Sequence, residues 1–169
     1  MTTLLNWRYA TKSDLRLRRA FVCTDPQKKS WNGYRLTHPA EWELDVQTWV
    51  RSRAIGSGQF MLLGMDNEGI GAVSAWVEID SPADVLLQVV AVAMRYRRQG
   101  GACAKETLAT ALSHMEAQAR SSGARDILIQ ARIDYRNTPS KRMSAAAGFE
   151  YDSRQEELEI WSYGRELGT

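Results

Sequence analysis

Cysteine is scarce. Cys23 and Cys103 are the two in 169 residues, and they lie far apart, which excludes a disulfide framework. His38 and His114 complete no ligand set with them, so no metal is expected. Long apolar runs are missing too; no stretch approaches the roughly 18 residues that read as a membrane span. The start, Met1-Thr2-Thr3-Leu4-Leu5, lacks the basic segment and apolar core of a secretion signal. Nor does one sign of charge dominate: a net charge of +2 argues for neither nucleic acid nor a membrane surface. Repeats, low-complexity tracts and linkers are absent. The expectation is a reduced, cytoplasmic protein forming a single domain over residues 1–169, with 44% hydrophobic residues for its core.

What is present concentrates between Val85 and Leu108. Val85 to Ala93 is apolar on both faces except at Gln88, as in a strand buried mid-sheet. From Lys105, residues Leu108, Leu112, Met115 and Ala119 recur at helical spacing, which predicts an amphipathic helix. Between strand and helix stand Arg97, Arg98, Gln99, Gly100 and Gly101. A helix start presents N–H groups without internal partners and carries partial positive charge. Two glycines let an oxygen-rich ligand approach the backbone, and two arginines add formal charge. A phosphate, and above all a diphosphate, suits such a place. It is not a Walker loop, for no Gly-Lys-Ser/Thr follows. It also lacks the third glycine and the distal acid of a dinucleotide fingerprint.

Elsewhere, Leu4 to Tyr9 predicts a short strand, then a capping turn and a helix to about Val22. Asp25 to His38 reads as an irregular loop. Pro39 suits the first turn of a helix reaching about Ile55, with Trp42 and Trp49 on one face and expected in the core. Gln59 to Met65 and Ile70 to Ile79 predict a hairpin over Asp66-Asn67-Glu68-Gly69. Asp126 to Ile133 is the next strand, a helix opens at Asn137, and two strands finish the chain. Strands and helices in this order make a mixed α/β layer fold rather than a repeated βαβ winding.

Arg97-x-x-Gly100-x-Ala102 fits the pattern Arg/Gln-x-x-Gly-x-Gly/Ala and follows a Val-Ala-Val strand, with Tyr96-Arg97 at the junction. Later, Asn137 opens a segment closing on Gly148-Phe149, eleven and twelve residues on. In this order, with a helix and a strand between them, the two motifs resemble those of the GCN5-related N-acetyltransferase (GNAT) family. The resemblance covers about the C-terminal half of the chain. It implies the acyl-CoA N-acyltransferase fold: an α/β (α+β) domain with a mixed, mostly antiparallel central sheet flanked by helices.

The resemblance also implies acetyl-CoA (acyl-CoA) as co-substrate, with direct transfer to a primary amine. On that mapping the backbone of Ala91, Val92 and Ala93 pairs with the pantetheine amides. Backbone amides of Arg97, Arg98, Gln99, Gly100, Gly101, Ala102 and Cys103 hold the diphosphate. Asn137 contacts the pantetheine or thiol end, caps its helix, or does both. The Val92 N–H polarises the thioester carbonyl. Many relatives place a tyrosine seven residues after that asparagine, as acid to the departing thiolate; here the position is Ser144. A Ser144 relay through water, another group such as Tyr135, and unaided departure of the thiolate all stay open.

Glu78 and Asp80 are nominated as general base, with Asp84 behind them and a solvated or turn-forming role as the alternative for each. Gln88 is a possible acceptor contact, and Cys103 is read as packing rather than as a nucleophile. The acceptor pocket is expected from the Asp25–His38 loop with Trp31 and Tyr34, from Ser81 to Asp84, and from Trp161 and Tyr163. Alternatives are a non-catalytic acyl-CoA-binding homologue, or transfer to aminoacyl-tRNA or a protein amine. The tRNA reading draws on Arg16, Arg18, Arg19, Lys28, Lys29, Arg51 and Arg53, which a solvated face also explains. A homodimer is left open.

Overall fold

The structure, a computed structural model, describes residues 5–25, 30–31, 34–35, 40–97 and 99–168. Its strands are β1 (Asn6–Tyr9), β2 (Ser30–Trp31), β3 (Tyr34–Arg35), β4 (Gln59–Asp66), β5 (Gly69–Ser81), β6 (Asp84–Val92), β7 (Asp126–Asp134), β8 (Glu150–Gln155) and β9 (Leu158–Glu166). Its helices are α1 (Leu15–Arg19), α2 (Glu41–Ser52), α3 (Ala102–Ser121) and α4 (Thr138–Ala146). Seven strands form one sheet in the order β1-β4-β5-β6-β7-β9-β8, and β2 pairs with β3 apart from it. β6 stands fourth of the seven, where a run apolar on both faces belongs. Every pairing in the sheet is antiparallel except β6 with β7. The expected mixed, mostly antiparallel sheet flanked by helices is therefore what the chain forms.

Helices cover the two faces of the sheet separately. On one face α3 brings Leu108, Leu112, Met115 and Ala119, all buried, against Trp76, Leu87, Ile129 and Phe149. On the other, Phe21 and Val50 pack against Met61, Leu63, Val73 and Val89. α1 is shorter than expected and stops at Arg19, because Phe21 turns into this second core and Val22 accepts the Met94 N–H (3.0 Å). Pro39, expected to open α2, lies outside the described residues.

The β5–β6 pairing is irregular twice, between Glu78 and Ser81 and at Gln88. Ala75 stands opposite Val89 and Trp76 opposite Leu87, so Gln88 has no partner in β5. Such a bulge breaks the two-residue alternation of facing. Val85 and Leu87 join the α3-side core, whereas Val89 and Ala91, of the same parity, join the other.

Candidate active site

β6 and β7 pair only from Asp84 with Leu128 to Leu87 with Ala131. β6 runs on to Val92 and β7 to Asp134, so beyond Leu87 the two strands part. A cleft of about 540 Å³ opens between them. Leu87 to Val90 and Ala131 to Asp134 form its strand walls, and Asn137, Ser140, Met143 and Ser144 close it from α4.

The three strand residues singled out by resemblance face differently. The Ala93 N–H donates to the Gly71 carbonyl at 2.8 Å, toward β5. Alternation along an antiparallel ladder turns the Ala91 N–H the same way and the Val90 and Val92 N–H groups the opposite way. Val92 and Val90 thus present donors to the side that β7 has left. Gln88 lines the cleft, although the strand parity that predicts this is interrupted at the bulge.

After β6 the chain makes a short helical turn at Met94–Tyr96 and enters α3 through Gly100 and Gly101. Both glycines are left-handed (φ 65° and 77°), a conformation that costs other residues about 1–2 kcal/mol. A Cβ on either would meet nothing within 4 Å, so the backbone is open to an approaching ligand. Gln99 and Ala102 donate their N–H groups within the turn, at 3.3 and 3.4 Å. No described residue accepts from the N–H of Gly100, Cys103 or Ala104. The Arg97 guanidinium turns away to Glu43 of α2, with contacts of 2.8 and 3.0 Å. Arg95, beside it in sequence, is held by Asp66 at 2.7 Å. Arg98 lies outside the described residues. Cys103 is buried against Leu5 and Ala72, where burial pushes its thiol pKa up, as a packing residue's would be.

Asn137 caps α4: its Oδ1 accepts the Ser140 N–H at 3.2 Å, and its amide NH₂ donates to no described residue. Ser144 is 5% exposed on the cleft wall, and its hydroxyl has no hydrogen bond to a described residue. Glu78 stands opposite Val85 near the β5–β6 hairpin and is not among the residues lining the cleft; neither are Asp80 and Asp84. Tyr135, at the β7–α4 corner, faces Arg154 at 4.0 Å and is likewise off the wall.

Sequence reasoning missed Trp42. It shares a helical face with Trp49, but only Trp49 packs into the core. Trp42 lines the cleft, its indole N–H is buried without a partner, and Arg136 lies over its ring at 5.1 Å. Asp134 grips the Arg136 guanidinium at 2.7 and 2.9 Å and raises its pKa further. The β8–β9 turn, Gln155 to Leu158, completes this wall. Tyr163 instead donates to Glu116 at 2.9 Å, in a second groove of about 570 Å³ between α3, α4 and β9. The side chains of Trp31 and Tyr34 lie outside the described residues.

Part of the basic set has structural duties. Arg18 is buried and donates to the carbonyls of Val50 (3.0 Å) and Arg53 (2.9 Å); Arg51 donates to that of Phe21 (2.8 Å). Among the described residues no cluster of three or more His, Cys, Asp or Glu could hold a metal, and no helix is long and apolar enough to cross a membrane.

No protein-family model matches the chain, and no curated protein matches its sequence. Solved structures do match. A protein from Desulfovibrio desulfuricans assigned to the GNAT acetyltransferases is 17% identical, with a TM-score of 0.61 over 97% of this chain and 99% of its own. PaiA N-acetyltransferase from Thermoplasma acidophilum, in complex with coenzyme A, is 12% identical, with a TM-score of 0.64 over 96% and 100%. The chain has the GNAT fold. A GNAT acetyltransferase from Staphylococcus aureus, 13% identical, superimposes over 96% of this chain and 99% of its own with a TM-score of 0.58. The GNAT fold thus extends across the N-terminal half as well, where neither motif lies.

Proposed function

We propose that this chain is a single-domain, cytoplasmic acyl-CoA-dependent N-acyltransferase that moves an acetyl group directly to a primary amine. The parting of β6 from β7 beyond Leu87 carries the reading, because it leaves the Val90 N–H facing a cleft and the Val92 N–H, further along the strand, on the same unpaired side. An arm bearing amides can lie there as an added strand and accept from those donors. At the end of the same strand, the turn at Gly100 and Gly101 and the start of α3 suit a diphosphate. The coenzyme A bound to the PaiA neighbour carries both groups, which supports the reading.

When bound, the thioester supplies an activated acyl group and a thiolate that can depart. The chain's residues orient, polarise and shield. Val90 and Val92 hold the arm in register, and the Val92 N–H is aimed at the carbonyl oxygen, where negative charge develops. Asn137 has its amide NH₂ free for the arm while its Oδ1 caps α4. Leu87, Leu108 and Met143 exclude water from the cleft. An alkyl amine of pKa near 10 arrives mostly protonated, and a carboxylate of the cleft wall, rather than Glu78, can draw off its proton. Ser144, buried and without a hydrogen bond to a described residue, relays through one water to the departing sulfur the second proton that the amine nitrogen sheds.

Calorimetry with acetyl-CoA and a thiol-release assay over a panel of amines test this together. Binding with release is expected. Binding without release would leave a carrier of acyl-CoA, and the absence of binding would end the reading. Gly100→Glu should abolish acetyl-CoA binding while circular dichroism still reports the native fold. Undiminished affinity in that variant would remove the diphosphate from this turn.

A further inference from the structure

The acceptor's chemistry is written on the wall of the cleft that faces away from β6. Taking the transferase reading as its basis, we infer that the acceptor is a dication: an aliphatic amine with a second ammonium group at the far end of its chain. The protein as a whole carries a net charge of +2. The cleft nevertheless has five carboxylates on its lining (Glu41, Asp45, Asp134, Glu156 and Glu157) against two guanidinium groups, Arg132 and Arg136. Arg136 is consumed by Asp134 at 2.7 Å and lies 3.7 Å from Glu157. Glu41, Asp45 and Glu156 keep no ion pair within the described residues, and Arg132 alone stands against them.

Local structure explains only part of this excess. Glu41, in the first turn of α2, is favoured there by the helix dipole. Asp45, one turn further on the same face, has no such support and repels Glu41. Between them in sequence, the Trp42 ring already takes a cation, the Arg136 guanidinium at 5.1 Å. A second, independent sign that the cleft is built for a polar guest is Ser144, 5% exposed on its wall, whose hydroxyl has no hydrogen bond to a described residue. Leu87, Leu108 and Met143 make an apolar stretch that suits methylene groups. An apolar middle and an acidic rim match a hydrocarbon chain ending in an ammonium group. The same rim repels a carboxylate on the acceptor, and it repels the phosphates of an aminoacyl-tRNA.

The test compares three probes of equal chain length at saturating acetyl-CoA: 1,4-diaminobutane, 1-aminobutane and 4-aminobutyrate. Thiol release should be most efficient with the diamine, by at least about tenfold in kcat/KM, and least with the amino acid. Raising ionic strength from about 0.05 to 0.5 M should raise KM for the diamine while leaving 1-aminobutane nearly unmoved. In Glu41→Gln/Asp45→Asn, KM for the diamine should rise toward that of the monoamine, with acetyl-CoA affinity reporting that the variant is folded. Equal or better use of 1-aminobutane by a wild-type protein that binds acetyl-CoA would overturn the dication and leave the transferase reading standing. A diamine preference that survives the double variant unchanged would overturn the assignment of this wall. Absence of acetyl-CoA binding would take both readings down together.

Discussion

At the scale of the residue, Asp14 shows how much one carboxylate can organise. It takes the Arg8 guanidinium through two bonds of 2.7 and 2.8 Å and accepts the Thr11 N–H at 2.7 Å, closing the turn that starts α1. The Arg8 bond, with help from Thr11, holds its carboxyl well below the usual carboxylate range. A depressed folded-state pKa contributes stability that is complete above the unfolded value, near pH 4, and is lost as pH falls through the folded value. Asp14→Asn should therefore cost about 1–2 kcal/mol at neutral pH, and variant and wild-type melting temperatures should converge in strong acid. A gap that persists undiminished in acid would show that charge is not the cause. Residue-level legibility had a clear limit at Trp42 and Trp49. Both satisfy the helical repeat of α2, and that repeat reports a shared face without saying what lies opposite each turn. Trp49 meets the core and Trp42 meets the opening, a difference set by where β6 and β7 part.

At the scale of the element, most strands and helices were legible, because period-2 and period-3.6 patterns are local; β2 and β3, two residues each and too short to show a period, fall in the stretch read as an irregular loop. The bulge at Gln88 was not, and for a physical reason. A strand apolar on both faces announces burial, but the same uniformity hides a reversal of facing partway along it. The parting of β6 from β7 leaves no local trace either, since it depends on pairing with a strand far along the chain. Asn137 was legible as a cap, since an asparagine before a helix is a cap on propensity alone; its contact with the coenzyme belongs to the proposed function. Asn137→Ala should lower thermal stability by about 1 kcal/mol through the lost cap. It should also weaken acetyl-CoA binding severalfold, through the lost amide NH₂. Loss of stability with unaltered affinity would leave Asn137 a cap and nothing more.

At the scale of the molecule, the two sequence motifs lie in the C-terminal half, while the likeness in fold runs through the whole chain. The N-terminal half supplies what the motifs could not foretell, namely α2 and its wall of the cleft. That wall is fastened from an unexpected quarter. Arg18, 2% exposed, sits inside the protein and terminates α2 by donating to Val50 and Arg53, and Arg51 reaches back to Phe21. The first two helices are thereby tied to one another through backbone carbonyls, which predicts that they open together and apart from α3. Their amide protons should exchange with deuterium at a common rate, and Arg18→Leu should quicken exchange in both helices while α3 keeps its protection. On the proposed function, the shape offered to an incoming amine is maintained by a guanidinium that never meets it, and wear at the beginning of the chain would surface as blurred selectivity before any loss of the coenzyme.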